Sequence, residues 1–409
     1  MKWRRAVTAL LILWAVWEIG RSLARLDGVI FTGYTQVGEV VLQGGDPYGL
    51  RINTWPPFFL FIAAGLALLA RLSLPGALLL WQLGSVAAIW GACRLLPRLA
   101  GEAPAPFTSA AVLVPVLMTA RLFQEHLQHT QINLYLLLLV LLAFHLFRQR
   151  RDVLGGVALA VAASTKAVPV LLLPYLLYKR AWRAAGWTTA FLVLLNVVLP
   201  LAVFGPTTTV ERWRAWRAVA AAETADPTPV YPNQSLLAAM KRLLTVEGGA
   251  RDPVHYPIAA WPTSRVQQLF YVLVALGAVA LALAFRRHPS GGGLTDPTLA
   301  GEIAVLLCAL PLISPLAWKA HFVTLLAGYW LVWRVVPPRR GGAQAAWWAS
   351  FACLTLSAPA LVGERLNDIL ESLNVITVGA LLVLGLALWA ALRPLPPRPP
   401  ASSAAPSRS

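Results

Sequence analysis

The sequence predicts an all-α, polytopic membrane protein, and three observations lead there. Hydrophobic residues make up 58% of the 409 positions and charged residues only 12%, a balance too apolar for the surface of a soluble domain. Apolar stretches of about fifteen to twenty residues recur from end to end, the length that a helix needs to cross a ~30 Å hydrocarbon core. The lysines and arginines behind the net charge of +17 sit in short clusters between those stretches. In that position they mark cytoplasmic ends of spans and do not form a nucleic-acid surface.

Taken in order, the first span covers roughly 6–20. It follows Lys2, Arg4 and Arg5 and lacks a small-residue cleavage site, so it reads as a retained helix and not as a signal peptide. A first outer loop, about 21–56, ends at Trp55-Pro56-Pro57 and is too long for a simple turn. Candidate spans follow at roughly 57–71, 75–96, 107–121 and 131–147, and parity of sidedness requires that one of these four does not cross. The segment 153–178 has basic clusters at both ends, Arg148 to Arg151 and Lys179 to Arg183. It is expected to fold back as two short helices meeting near Ser164-Thr165-Lys166, because about 13 residues at 1.5 Å each cross only half the core. A span at 187–204 leads into a second outer segment, 205–266. The remaining candidates are 267–285, 299–317, 320–337, 346–362 and 374–392, punctuated by Arg286-Arg287 and Arg339-Arg340. The expected architecture is a single domain over 1–392 with about 11 to 13 transmembrane helices, and a disordered, Pro-rich cytoplasmic tail over 393–409.

Polar residues at span ends are the candidates for function, since an unpaired polar group in lipid costs several kcal/mol. Lys166 stands alone among small residues in AVAASTKAVPV, where an anion such as phosphate would balance it; a lysine snorkelling to an interface is the other reading. The run ARLFQEHLQHTQIN places Arg121, Gln124, Glu125, His126, Gln128, His129, Gln131 and Asn133 just before a run of leucines. They either solvate a helix start or line a cavity with donors for sugar and phosphate. His126 and His129 share a helical face, but no third ligand accompanies them, so no metal is expected. Asn233, Gln234 and Ser235 either bind substrate or cap a helix. Lys319 and His321 lie at another outer span end beside Trp318. Cys93, Cys308 and Cys353 have neither metal-ligand nor disulfide spacing, and no nucleotide-binding or hydrolase signature is present.

The ordered series FTGYTQVGEVVLQGGDPYGLRINTWPPFF, HTQINLYLLLL, STKAVPVLLLPYLLYKRAWRA, PNQSLLAAMKRLL and ISPLAWKAHFV resembles glycosyltransferase family 87 over about residues 20–330. The resemblance implies a GT-C-type helical bundle in a bacterial plasma membrane with its active site on the outer face. It also implies a polyprenyl-phosphate sugar donor, usually carrying mannose, a lipid-linked or polymer glycan acceptor, inverting transfer and no cofactor. A carboxylate of the first outer loop would accept the acceptor's proton, and Lys166, Lys319, His126, His129, Gln131, Asn133, Asn233, Gln234, Ser235 and His321 would serve the donor's phosphate or sugar. Family members carry Asp a few residues before the tyrosine that matches Tyr34, where this chain reads Val29-Ile30-Phe31-Thr32-Gly33-Tyr34. Asp27 is the nearest acid, and Asp46 is the substitute, although its Asp-Pro context also suits a structural turn. A transporter or flippase of a lipid-linked saccharide is the competing expectation; it would call for inverted repeats and paired midplane charges, which are not evident.

Overall fold

The computed structural model describes residues 2–26, 30–225, 230–285, 293–296, 298–335 and 341–393. They form a helical protein with no strand among the described residues. The chain opens with α1 (Lys2–Ala24), α2 (Ile30–Leu42), α3 (Phe59–Leu72) and α4 (Leu74–Leu99). α5 (Ala110–Met118), α6 (Ala120–Gln128), α7 (Asn133–Arg148), α8 (Asp152–Thr165) and α9 (Leu173–Tyr178) follow. α10 (Trp182–Val193), α11 (Leu199–Ala225), α12 (Leu236–Leu244) and α13 (Thr263–Phe285) carry the middle of the chain. The last third holds α14 (Leu299–Ile313), α15 (Leu325–Val335), α16 (Gly342–Phe351), α17 (Pro359–Val362), α18 (Glu364–Ser372) and α19 (Val375–Ala391).

This is a multi-pass membrane protein. Four stretches are long and apolar enough to cross a bilayer: Trp3–Ala24, Leu74–Leu99, Trp182–Glu223 and Thr263–Phe285. α18 and α19, bent by 62° at their junction, together make a fifth. Several of the other expected spans are apolar helices of only 14 to 16 residues, so the tally by length and composition falls below the 11 to 13 expected.

Two of the four candidate spans in the first half are short: α5 has 9 residues and α3 has 14, about 21 Å of rise against a ~30 Å core. α3 lies beside α2. The two run parallel: Tyr34 meets Phe59 at 5.1 Å between ring centroids, and Glu39 meets Arg71 at 2.7 Å. Gly38 makes the approach possible, since a Cβ there would sit 2.0 Å from the Ala63 carbonyl oxygen. α4 then starts cleanly, with the Ser73 hydroxyl accepting from the Gly76 N–H at 3.1 Å and Pro75 in the first turn.

The segment around Lys166 is re-entrant. Asp152 pairs with Arg183 at 3.4 Å, and Ser164 accepts from Asn196 at 2.6 Å, so α8 and α10 run parallel from a common end. The chain between them must therefore return, which it does through a 3₁₀ turn (Val168–Leu172) and α9. Lys166 sits at the apex in extended backbone (φ −147°, ψ 125°). At the opposite end Lys179 pairs with Glu302 at 2.9 Å, and Arg148 donates to the Leu99 carbonyl at 2.8 Å. That end carries the arginine clusters.

Both outer segments hold more helix than a loop reading implies. The first contains α2 and a 3₁₀ turn (Pro47–Gly49). In the second, α10 runs through a π-helical turn (Leu194–Val198) into α11, which kinks at Gly205 (φ 77°) before Pro206 and continues to Ala225; α12 follows after a break.

Gly38→Ala is expected to destabilise the protein by roughly 1–3 kcal/mol through overpacking of α2 on α3. Gly65→Ala, with no atom within 4 Å of the added carbon, should leave the melting temperature in detergent unchanged. Equal melting of the two variants would show that α2 and α3 do not approach this closely.

Candidate active site

The α6–α7 junction organises the end of the molecule that carries Lys166. Thr130 there has φ 51°, a left-handed conformation that a β-branched residue adopts only under constraint. Three contacts supply the constraint: Trp81 Nε1 donates to the Thr130 carbonyl at 3.1 Å, the Phe31 N–H to Thr130 Oγ1 at 3.0 Å, and the Ile30 N–H to the His129 carbonyl at 3.3 Å. The first turn of α2 is thereby pinned to the His129–Thr130 turn. Phe31, Tyr34, Trp55, Phe59 and Trp81 pack beneath it as a continuous aromatic cluster.

Beside this junction, Lys166 Nζ donates to Asn133 Oδ1 at 3.0 Å and meets His321 Nε2 at 2.7 Å. The other ring nitrogen of His321 accepts from the Trp318 N–H at 3.1 Å. Among the described residues Lys166 thus has an amide oxygen and an imidazole nitrogen as its polar partners, and an anion would add acceptor oxygens for its remaining N–H groups. Among the described residues no carboxylate pairs with Lys166. Three further side chains in this region are buried with unsatisfied polar atoms: both ring nitrogens of His126, Thr165 Oγ1 and Thr324 Oγ1. Each would lose free energy by staying dry and unpaired.

Below the polar group runs an apolar cleft. Asn133, Lys166, His321, Thr324 and Ser314 line its polar part, and Leu136, Leu137, Val140, Val168, Pro169, Leu307, Leu310 and Pro311 complete the walls. Gln131 accepts from Asn133 Nδ2 at 3.5 Å. The cleft encloses about 50 Å³ and sets polar groups at one end of an apolar wall.

A buried ionic network flanks the cleft. Arg121 on α6 donates to Glu371 Oε1 at 2.7 Å and to Ser357 Oγ at 2.5 Å, and also bonds Asn367. Lys319 bridges Glu371 and Glu125 at 2.8 and 3.0 Å, and His129 lies 3.5 Å from Glu125 Oε2. Burial pushes the Glu125 carboxyl up, but His129, Lys319 and Arg121 together outweigh it and hold it down at about 2. The network ties α6, the Lys319 turn and α18 into one unit and neutralises Lys319. Glu125 belonged to the polar run before α7, whereas Glu371 was not among the expected site residues. Nothing in the ERLNDILES segment marks Glu371 for burial, because its partner Arg121 is 250 positions away.

The expected residues divide into groups. Lys166, Asn133, His321, His126 and Gln131 gather around the cleft mouth. Lys319 and His129 belong to the ionic network, and the His129 side chain is about half exposed. Asn233, Gln234 and Ser235 spend their polar atoms on backbone. Asn233 Oδ1 accepts from the Ser235 and Ala317 N–H groups at 3.1 and 3.0 Å, Gln234 Nε2 donates to the Glu371 carbonyl at 2.7 Å, and Ser235 Oγ caps α12 at Ala238 N, 3.1 Å away. The three clasp the 315–317 turn that presents Lys319 and His321. Asp27 lies outside the described residues. Asp46 is exposed, caps the 3₁₀ turn by accepting from Tyr48 N at 2.9 Å, and follows α2 at the end opposite Ile30. The 13 residues of α2 separate the two ends by about 18 Å. Among the described residues no group of three His, Cys, Asp or Glu side chains could hold a metal ion.

Two relatives are similar over most of this chain. A polyprenol-phosphate-mannose-dependent alpha-(1-2)-phosphatidylinositol pentamannoside mannosyltransferase of Mycobacterium tuberculosis (strain CDC 1551 / Oshkosh) is 26% identical over 314 residues, 76% of this chain and 64% of the relative. The protein of the same description from Mycolicibacterium smegmatis (strain ATCC 700084 / mc(2)155) is 28% identical over 315 residues, 76% of this chain and 68% of the relative. The chain thus spans about two thirds of the length of the curated relatives it matches. No solved structure matches. The family profile described as glycosyltransferase family 87 matches residues 53–315, a stretch that holds α3, the strained Thr130 junction, Lys166 and the clasp at Asn233. The chain belongs to glycosyltransferase family 87.

Proposed function

We propose that this chain is a mannosyltransferase that takes mannose from a polyprenyl-phosphate donor and adds it to a lipid-linked glycan on the outer face of a bacterial plasma membrane. The observation that carries the reading is a part-buried lysine that pairs with no carboxylate among the described residues, near the unsatisfied polar atoms of His126, Thr165 and Thr324, at the head of a cleft with leucine and proline walls. A prenyl phosphate matches both halves, with phosphate oxygens for the donors and a chain for the walls. The relatives' names supply mannose as the sugar and a phosphatidylinositol mannoside as the kind of acceptor. The outward orientation rests on the arginine clusters at the opposite end of α7 and α8.

Transfer requires that an acceptor hydroxyl oxygen attack the anomeric carbon while the bond from that carbon to the phosphate oxygen breaks. The electron pair stays with the departing phosphate, and the hydroxyl proton passes to a carboxylate. Lys166, with Asn133 and His321 fixing its position, stabilises the charge that grows on the phosphate. We assign the base to Asp27. It precedes Ile30 by three residues, and the Ile30 N–H is bonded to the His129 carbonyl at the cleft mouth. Asp46 is the alternative base, but it has a turn to cap at the far end of α2.

The test uses purified protein in lipid nanodiscs, labelled polyprenyl-phosphate mannose and a phosphatidylinositol-linked mannoside. Lys166→Gln is expected to reduce transfer by about 10²-fold or more, in the range seen for removal of a group that stabilises transition-state charge. Lys166→Gln with full activity would remove the phosphate assignment, and wild-type protein that binds donor without transferring label would remove the enzyme itself. Asp27→Asn should abolish turnover while donor binding persists. Asp46→Asn should keep most activity and, because an asparagine oxygen can still accept from the Tyr48 N–H, most stability; the reverse pattern would make Asp46 the base.

A further inference from the structure

Three buried arginines can be compared directly. Arg121 bonds Ser357, Asn367 and Glu371. Arg242 bonds Asn374 Oδ1 at 2.6 Å and the Asn233 carbonyl at 2.8 Å. Arg212, with 7% of its surface exposed, has no carboxylate within ion-pair distance among the described residues, and its Nη1 is buried without a hydrogen-bond partner. One turn earlier on the same face of α11, Thr209 is 5% exposed and its hydroxyl is likewise unpartnered. The guanidinium lies flat on the Phe204 ring at 3.9 Å, a contact that orients it without satisfying its N–H groups. A buried guanidinium left in this state is costly, so the site is built for something that supplies acceptor oxygens.

Its place in the fold narrows what that is. Arg212 follows the Gly205 kink, where α11 leaves its apolar half and becomes basic, with Arg214 and Arg217 exposed nearby. Trp213 Nε1 donates to the Asn196 carbonyl at 2.9 Å, and Asn196 donates to Ser164, two residues before Lys166. On the other side Trp216 Nε1 donates to the Thr54 carbonyl at 3.2 Å in the first outer loop. Arg212 therefore stands between the Lys166 hairpin and that loop, at the level where headgroups meet the protein. Asp46 of the loop is the acid whose charge reaches it, and Asp46 keeps its Oδ1 on the Tyr48 N–H. Three arginines within six residues on the side assigned to the outside also run against the charge rule that orients the rest of the chain, and so need a reason other than topology.

We propose that Arg212 and Thr209 form a second phosphate site, which binds the phosphodiester of an anionic glycerophospholipid and so anchors the lipid-linked acceptor beside the donor held at Lys166. The guanidinium offers a fork of N–H donors to two phosphate oxygens, and the Thr209 hydroxyl a further donor. The proposal rests on the reading of the chain as a transferase with a lipid-linked acceptor.

Two measurements test it, one of them independent of turnover. Native mass spectrometry of the full chain with phosphatidylinositol and, separately, phosphatidylcholine should show preferential retention of the anionic lipid by the wild type. That preference should be lost in Arg212→Gln, weakened in Thr209→Val and partly restored in Arg212→Lys. In the transfer assay, Arg212→Gln should raise KM for a phosphatidylinositol-linked mannoside about 10- to 100-fold, as expected for loss of a charge-assisted hydrogen bond. KM for an alkyl mannoside lacking phosphate, and for the donor, should stay unchanged. Equal lipid retention by wild type and both variants would overturn the proposal even if the protein transfers mannose. A rise in donor KM alone would assign the site to the prenyl phosphate and overturn it as well. If Arg212→Gln does not fold, the Thr209→Val comparison decides on the same readouts.

Discussion

Moving an ammonium out of water costs several kcal/mol unless a partner compensates, and Lys166 is given only an amide oxygen and an imidazole nitrogen. Everything around it keeps that arrangement in place. The hairpin of α8 and α9 sets its depth, the strained Thr130 junction brings Asn133 beside it, and the 315–317 turn fixes His321. Relaxation of any one of these would let the lysine find water or a carboxylate. Two acids of the neighbouring network, Glu125 and Glu371, are held by Arg121, Lys319 and His129. The ionic network thus works as a sink for negative charge next to a site that has to stay positive.

The same division of labour explains the polar residues that touch no cavity. Asn233, Gln234 and Ser235 bond almost wholly to backbone, yet their targets are the carbonyls and amides of the turn that leads to Lys319 and His321. Arg242 locks their other side through the Asn233 carbonyl and Asn374. A chain of satisfied hydrogen bonds in a dry environment gives the stiffness that transition-state stabilisation requires.

What could be read from sequence followed from local cost. Lys166 stood out because a lone cation among Ala, Ser and Thr is expensive wherever lipid is near, and the two short helices around it followed from charge at both flanks and from rise per residue. The class of fold was legible for the same reason. Composition could not show that α3 packs closely along α2, since the approach depends on Gly38 meeting the Ala63 carbonyl. The Asn233 group was legible as polar but not as structural, since its partners lie about 80 positions away in sequence. Glu371 was invisible as a site residue because an acid in an amphipathic helix looks solvated until the arginine it meets is known. Nothing in the sequence around Arg212 sets it apart from Arg214 and Arg217, and its burial shows only once α11 is folded against the first loop.

The re-entrant hairpin has a consequence for how the chain is threaded into the bilayer. Asp152 and Arg183 are in contact, so the segment between them leaves and rejoins the same side, and α10 starts where α8 started. Such an element is silent in topology: it places a cation deep in the protein while the sidedness of every later helix stays as it would be without it. The hairpin can therefore be lengthened, shortened or altered at Lys166 while α10 to α19 keep their orientation, which separates changes at its apex from the insertion of the scaffold.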